Sequence, residues 1–266
     1  MNAPGLAIWK WKRGAAARRE MDEVATEEPL EIQVETRAIS VTMRTPGHDE
    51  ELAIGFLLTE GILSSSAQVE RIQPHPRNTH GNAINVFLKA GVSVDFTKLT
   101  RHFFASSSCG VCGKASIDQI HRQFKALRSS ARVSAETLLS LPPQMRTAQA
   151  TFDRTGGIHA AALFSLEGRL LVLREDVGRH NAVDKVVGHA ALQGWLPLNR
   201  SILLVSGRTS FEIVQKALAA RIPVIAAVSA PSSLAVDFAR RNRQTLVGFL
   251  RDDRMNLYCG KNRVKF

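Results

Sequence analysis

An α/β protein, with a mixed sheet in its C-terminal part and a smaller α+β region before it, is predicted from three observations. From Gly157 onward, short runs of Ile, Leu and Val alternate with helical patterns, as in a sheet covered on both faces and partly parallel. Residues 30–44 alternate apolar and polar side chains with period two, the pattern of paired strands. A chain of 266 residues, 44% hydrophobic and 22% charged, can bury one large core or two modest ones.

Residues 1–26 mix Gly, Ala and charge without periodicity, which predicts a flexible arm. The strands within 30–44 end at the turn chemistry of Thr45-Pro46-Gly47-His48, and a helix begins at Asp49. Its acidic first turn, Asp49, Glu50 and Glu51, suits the positive end of the helix dipole. Leu52, Phe56 and Leu57 form its buried stripe, and Gly61 is its stop. A loop over 73–80 precedes a strand at Ala83–Leu88. Ile117, Ile120, Phe124 and Leu127 then mark one face of a second helix. Residues 128–156, with Pro142-Pro143 between short apolar pieces, form a connection carrying some helix. The expected organisation is an α+β region with the cysteine loop over 27–130, a connection over 131–156 and an α/β domain over 157–266. That domain opens with a hairpin through Leu166-Glu167-Gly168. Helices near 179–192, 210–220 and 232–240 alternate with strands near 201–205 and 223–228, and strands near 245–250 and 255–258 close the chain.

Composition narrows the function. No apolar run approaches the ~18–20 residues needed to span a bilayer. No apolar stretch follows the basic residues among the first twenty, so no secretory signal is expected and the cytoplasm is the default. Three cysteines are too few for a disulfide framework. The formal net charge of +11 is uneven: +4 over 1–20, −8 over 21–60 and +15 over 61–266. The bulk of the protein should attract nucleic acid, nucleotides or another phosphate-bearing ligand. A solvated basic surface is the plainer alternative.

Four segments carry candidate chemistry. In Cys109-Gly-Val-Cys112, two thiols at this spacing can share a metal, form a reversible disulfide or relay a sulfur atom. A helix start near Lys114 would lower the thiol pKa below its free value of about 8.5 and so favour the nucleophilic thiolate. A zinc site would need two further ligands, and His75, His80 and His102 lack standard spacing to the cysteines. Cys259 reads as an ordinary thiol. Arg174-Glu-Asp-Val-Gly-Arg-His-Asn181 lies at a strand-to-helix junction, where Asp176, Arg179, His180 and Asn181 can serve either a ligand pocket or the turn and cap. Ser206-Gly-Arg208-Thr209-Ser210 opens a helix, whose N–H groups and dipole favour an anion, though a plain helix start explains it nearly as well. In Phe249-Leu250-Arg251-Asp252-Asp253-Arg254, two arginines and two carboxylates can grip phosphate and a guanine edge, with Phe249 stacking. Alone, the segment is a charged hairpin tip.

Taken together, the chain resembles the formate dehydrogenase accessory sulfurtransferases, the FdhD family, from about Glu28 to Tyr258. Five motifs in order carry the resemblance: Met43-Arg-Thr-Pro-Gly-His-Asp49 through Thr59-Glu-Gly61, Ser107-Ser-Cys-Gly-Val-Cys-Gly-Lys114, Gly156-Gly-Ile-His-Ala160, Glu175-Asp-Val-Gly-Arg-His-Asn-Ala-Val-Asp-Lys185 and Ser206-Gly-Arg-Thr-Ser210. The resemblance implies a cytidine-deaminase-like three-layer C-terminal domain with a mixed sheet. It implies that a cysteine desulfurase hands sulfur to Cys109, with Cys112 assisting. The persulfide would then deliver it to the molybdenum cofactor, Mo-bis(molybdopterin guanine dinucleotide), before insertion into the catalytic subunit of formate dehydrogenase. The family's cofactor-binding stretch matches Phe249–Arg254, so GDP is a fragment mimic, and a homodimer is implied. Neither nucleic acid nor membrane is an expected partner, and no metal ligand set is assigned. The His-x-Glu and Pro-Cys-x-x-Cys of zinc deaminases are replaced here by His180-Asn-Ala182 and Gly207-Arg-Thr-Ser210, which argues against base hydrolysis. Two competing functions are a nucleotide- or nucleic-acid-binding module with structural zinc and a thioredoxin-like oxidoreductase. The second is weakened because the CxxC does not follow a first βαβ strand.

Overall fold

The computed structural model describes residues 4–74, 81–94, 96 and 124–266. Cys109, Cys112 and Lys114, the candidate histidines 75, 80 and 102, and the first half of the expected second helix lie outside the described residues. No helix among the described residues is long and apolar enough to cross a membrane.

The N-terminal strands are β1 (Gly5–Lys10), β2 (Arg18–Glu23), β3 (Glu28–Val34) and β4 (Arg37–Arg44). β1 and β2 form an exposed antiparallel hairpin, so residues 5–23 are regular where the sequence predicted an arm without structure. An Arg154–Glu23 ion pair ties this hairpin to the rest of the chain. β3 and β4 join β5 (Val69–Pro74) and β6 (Ala83–Leu88) in a four-stranded sheet of order β4-β3-β6-β5. Leu30, Ile32, Val34, Ile84 and Val86 point to one face, as period two requires, and pack on α1 (Asp49–Thr59).

α1 is buried more widely than the expected stripe. Leu52, Ala53, Ile54, Gly55, Leu57, Leu58 and Thr59 are all buried, while Phe56 is only half-buried. The cause is a second partner on its other side, the helix Arg179–Leu192. The helix ends as the glycine signal implied: Gly61 has φ +69°, and the Gly61 and Ile62 N–H groups bond the Leu58 and Leu57 carbonyls in a Schellman turn.

Residues 124–132 are not helical, although Leu127 is buried. They lead into β7 (Val133–Ser134), α2 (Ala135–Leu139), α3 (Leu141–Ala148) and α4 (Ala150–Thr155). These are followed by β8 (His159–Ser165), β9 (Leu170–Asp176), α5 (Arg179–Leu192), β10 (Ser201–Val205), α6 (Phe211–Ala219), β11 (Val224–Ala227), α7 (Ser233–Arg241), β12 (Thr245–Gly248), β13 (Asn256–Cys259) and β14 (Val264–Lys265). Six of these strands form a mixed sheet of order β13-β12-β11-β10-β8-β9, parallel only between β10, β11 and β12. Side chains alternate between its faces. Leu163, Leu203, Val205, Ile225 and Ala227 pack against α5, α6 and α7. Ala162, Phe164, Ile202, Leu204 and Ala226 pack against α2 and α3. The expected connection therefore contributes a covering layer, and the fold is mixed α/β with a sheet buried on both sides.

The two sheets meet where α1 crosses α5. A Cβ on Gly55 would lie 1.9 Å from the Asp184 carbonyl oxygen, and one on Gly188 would lie 1.8 Å from that of Glu51. Only two glycines permit this approach. Charged clamps flank the crossing: Lys216 bonds Asp184, Glu60 and the Thr59 hydroxyl, and Arg174 and His189 bond Glu51. Burial works against the Lys216 charge, but Asp184 and Glu60 outweigh it and raise its pKa. Burial likewise opposes the Glu51 carboxylate, yet bonds from Arg174, His48 and His189 hold its pKa far below the usual range. Gly188→Ala should lower stability by about 1–3 kcal/mol, the range for overpacking, because backbone must move to admit the methyl group. Chemical denaturation against the parent, with Gly157→Ala as a control whose Cβ meets nothing nearer than 3.7 Å, measures this. An unchanged midpoint for Gly188→Ala would show that the crossing is not tight.

Candidate functional site

The candidate residues gather at one edge of the six-stranded sheet. β10, β11 and β12 run parallel, and β9 runs with them because two antiparallel pairings intervene. The segments following all four strands, together with the start of β8, therefore share the carboxyl edge, where open α/β sheets hold ligands. Two predicted segments, 206–210 and 249–254, and the 177–181 junction all fall there.

A cleft of about 840 Å³ opens at this edge, within the ~300–1,000 Å³ of small-molecule sites. One wall is apolar, with Pro142, Pro143 and Met145 of α3 and Phe152 of α4. The opposite side carries His159, Ser206, Arg251 and Asp252 over a floor that includes Leu250. The short helix α4 is held in position by Glu175, whose carboxylate accepts the Thr151 and Phe152 N–H groups.

The EDVGRHNAVDK motif divides by task. Asp176 accepts from the Thr45 and Gly178 N–H groups and from Asn181 Nδ2, and pairs with Lys185 at 2.7 Å with neither side chain exposed. Lys185 also donates to the Thr45 carbonyl, and Asn181 donates to that of Met43. These residues pin the end of β4 to the start of α5. Asp176 shapes the turn through the Gly178 N–H, while Asn181 lies within the helix, whose N-cap is Gly178 with no side-chain cap bond. Arg179 and His180 are not part of this lock. The His180 Nε2 lies 3.2 Å from Ser210 Oγ and 3.6 Å from the Glu212 carboxylate. Burial would raise the Glu212 carboxyl, but bonds from His180 and Ser210 bring it down to about 2. Among the described residues, Arg179 Nε and Thr209 Oγ1 are buried without a hydrogen-bond partner.

His159 links this cluster to the cleft. A Cβ on Gly207 would touch the His159 ring at 3.2 Å and Arg179 Cδ at 3.7 Å, so glycine lets both side chains close over that turn. Burial, then the charges of Arg179, His180 and Arg208, disfavour the imidazolium, with Asp176 opposing, and the His159 pKa is lowered. His159 and Glu212 were not among the predicted site residues. The histidine lay within the Gly156–Ala160 motif, but nothing local marked Glu212.

The other predicted residues are placed as follows. Phe249 is 41% exposed with φ +50°, its N–H bonding Ser229 O. Leu250 and Thr209 are fully buried, and Arg208 is exposed. Arg251, Asp252, Asp253 and Arg254 are exposed on the turn between β12 and β13, closed by an Arg251 N–H bond to Arg254 O. Arg251 and Asp252 line the cleft, whereas Asp253 and Arg254 do not. Among the described residues, no group of three or more His, Cys, Asp and Glu is arranged to hold a metal. Cys259 is half-buried, bonded at 3.4 Å to Gln244 O, and burial raises its thiol pKa.

Comparison with known proteins gives a consistent picture. The FdhD/NarQ family model matches residues 25–265. The sulfur carrier protein FdhD of Mycolicibacterium paratuberculosis is 52% identical over 91% of this chain and 92% of its own length. That of Streptomyces avermitilis is 49% identical over 95% and 92%, and that of Sulfolobus acidocaldarius is 44% identical over 97% of each. A crystal structure from Desulfotalea psychrophila, ascribed to a formate dehydrogenase accessory protein, superposes with a TM-score of 0.79 at 26% identity over 99% of both chains.

The His159 environment gives a direct test. Its imidazole should titrate below the ordinary value of 6.5, as read by NMR, and GDP in the cleft should raise that midpoint by offsetting the arginines. Since the folded protein then takes up this proton less readily than the unfolded chain, the site costs stability only as pH falls below 6.5. A midpoint at or above 6.5 in the free protein would show that burial and the neighbouring cations do not together disfavour the imidazolium.

Proposed function

The chain belongs to the FdhD/NarQ family, and from that premise we propose that it carries sulfur as a persulfide on Cys109 and delivers it to the molybdenum cofactor, Mo-bis(molybdopterin guanine dinucleotide), for formate dehydrogenase. The Cys109 thiolate attacks the outer sulfur of a persulfide on a cysteine desulfurase. The donor's S–S bond breaks, the donor cysteine leaves as thiolate, and the new S–S bond forms on Cys109 without net oxidation. Cys112 assists the onward transfer. In this reading the protein is a sulfurtransferase of the cytoplasm that works as a homodimer and meets the catalytic subunit of formate dehydrogenase.

The observation that carries the reading is the cleft at the carboxyl edge of the sheet, with a cationic cluster beside it. The cargo has two pyrophosphates and two guanines on a pterin framework. The apolar wall of Pro142, Pro143 and Phe152 suits flat rings, and Arg179, Arg208 and Arg251 suit phosphate. The orphaned Arg179 Nε lies where an acceptor would satisfy it. Asp252 can accept from the edge of a guanine, and the exposed Phe249 ring can stack on it. A neutral His159 can donate or accept one hydrogen bond without repelling the nearby arginines.

Incubation with a cysteine desulfurase and L-cysteine should add about 32 mass units, one sulfur atom, to the peptide containing Cys109. Cys109→Ala should abolish the addition, and equal loading of that variant would overturn the assignment. Arg251→Ala and Arg254→Ala should each weaken GDP binding by roughly tenfold, the value of one charge-assisted contact. Calorimetry showing unchanged affinity in both variants would move the cofactor pocket elsewhere.

A further inference from the structure

We propose that the opposite edge of the six-stranded sheet holds a second anion site, built around the Arg263 guanidinium, for a compact phosphate-bearing small molecule. This lies beyond the sulfur-carrier reading and does not depend on it. Four cationic side chains are buried among the described residues: Arg44, Lys185, Lys216 and Arg263. Three are compensated as buried charges must be, Arg44 by Glu28 and Asp49, Lys185 by Asp176, and Lys216 by Asp184 and Glu60. Arg263 is the exception. It is 5% exposed, its Nε has no acceptor, and among the described residues its side chain makes only a long bond, 3.5 Å, to Thr245 Oγ1.

The surroundings worsen the imbalance. Arg263 lines a cleft of about 610 Å³ with Arg128, Arg240 and Arg243, and no carboxylate lines it among the described residues. Burial, and then the charge of Arg132, disfavour the protonated guanidinium. A neighbouring cleft of about 670 Å³ shares Arg128, Ser129 and Ser130 and adds Arg132, Arg200 and Lys265, with Glu167 its one acidic side chain among the described lining. Like charges converging on a buried, unpaired guanidinium are unfavourable unless an anion joins them. A phosphate fits the need, since its oxygens accept the planar fork of arginine in pairs. A concave cleft of this volume admits a molecule of nucleotide size, whereas a flat acidic protein face would not reach a side chain so deeply buried.

The half-buried Cys259 lines the same cleft and reports on it. With pyrophosphate as probe, alkylation of Cys259 followed by peptide mass spectrometry should be slowed in the parent and equally in Arg251→Ala. Protection should require at least roughly tenfold more pyrophosphate in Arg243→Gln, an exposed position where folding is not at risk, and should vanish in Arg263→Gln. Absence of protection in the parent would overturn the proposal. So would protection unchanged in both Arg243→Gln and Arg263→Gln, or protection abolished by Arg251→Ala, which would assign the anion to the first cleft. Sulfur loading of Cys109 is read separately, so failure here leaves the sulfur-carrier reading standing.

Discussion

The contact between Gly55 and Gly188 is the constraint on which the remaining architecture rests. Two helices from different parts of the chain approach so closely that each glycine faces the other helix's main-chain carbonyl. Neither glycine is required by a turn; the absence of a side chain is what matters. The approach brings α1, which covers the four-stranded sheet, onto α5, which covers the six-stranded one. It also brings charged groups from α1, α5, α6 and β9 together away from water, where each must find a partner. Glu51 with Arg174 and His189, and Asp184 with Lys216 and Thr59, meet that demand.

The same seam positions the candidate site. Asp176, Asn181 and Lys185 spend their hydrogen bonds on the Met43–Thr45 backbone and on each other, which fixes where α5 begins. Arg179 and His180, the first two residues of that helix, are thereby held beside Gly207 and His159 at the carboxyl edge. One motif thus does two physical jobs: its inward residues lock two sheets together, and its first helical residues place charge beside His159, which lines the cleft. Arginines are most effective toward phosphate when their geometry is set in advance, and this packing sets it for Arg179.

The uneven charge of the sequence has a structural counterpart. Half of the ten acidic residues over 21–60 are engaged in pairing, with Glu23, Glu28, Asp49, Glu51 and Glu60 each holding a cation. Part of the basic excess beyond residue 61 gathers at the two edges of the large sheet, around Arg179, Arg208 and Arg251 on one and around Arg263 on the other. Cations that lack internal partners and line concave surfaces are where anionic ligands gain most.

Local pattern alone was enough for most elements. The strand at Ala83–Leu88, the hairpin through Glu167 and Gly168, the helix at Arg179–Leu192 and the strand at Ser201–Val205 were all legible, because periodicity and turn chemistry act within a few residues. So were the motif segments at strand ends. The breadth of burial on α1 was not legible, since a second packing partner arrives from residues more than a hundred positions away. The hairpin at 5–23 was missed because its exposed strands carry no apolar alternation. Tertiary structure alone decided which residues of the 174–185 motif turn inward, that His159 joins Arg179, and that Arg263 is buried with no carboxylate partner among the described residues. Those outcomes depend on where distant backbones place charge and exclude water, and no local sequence window contains that information.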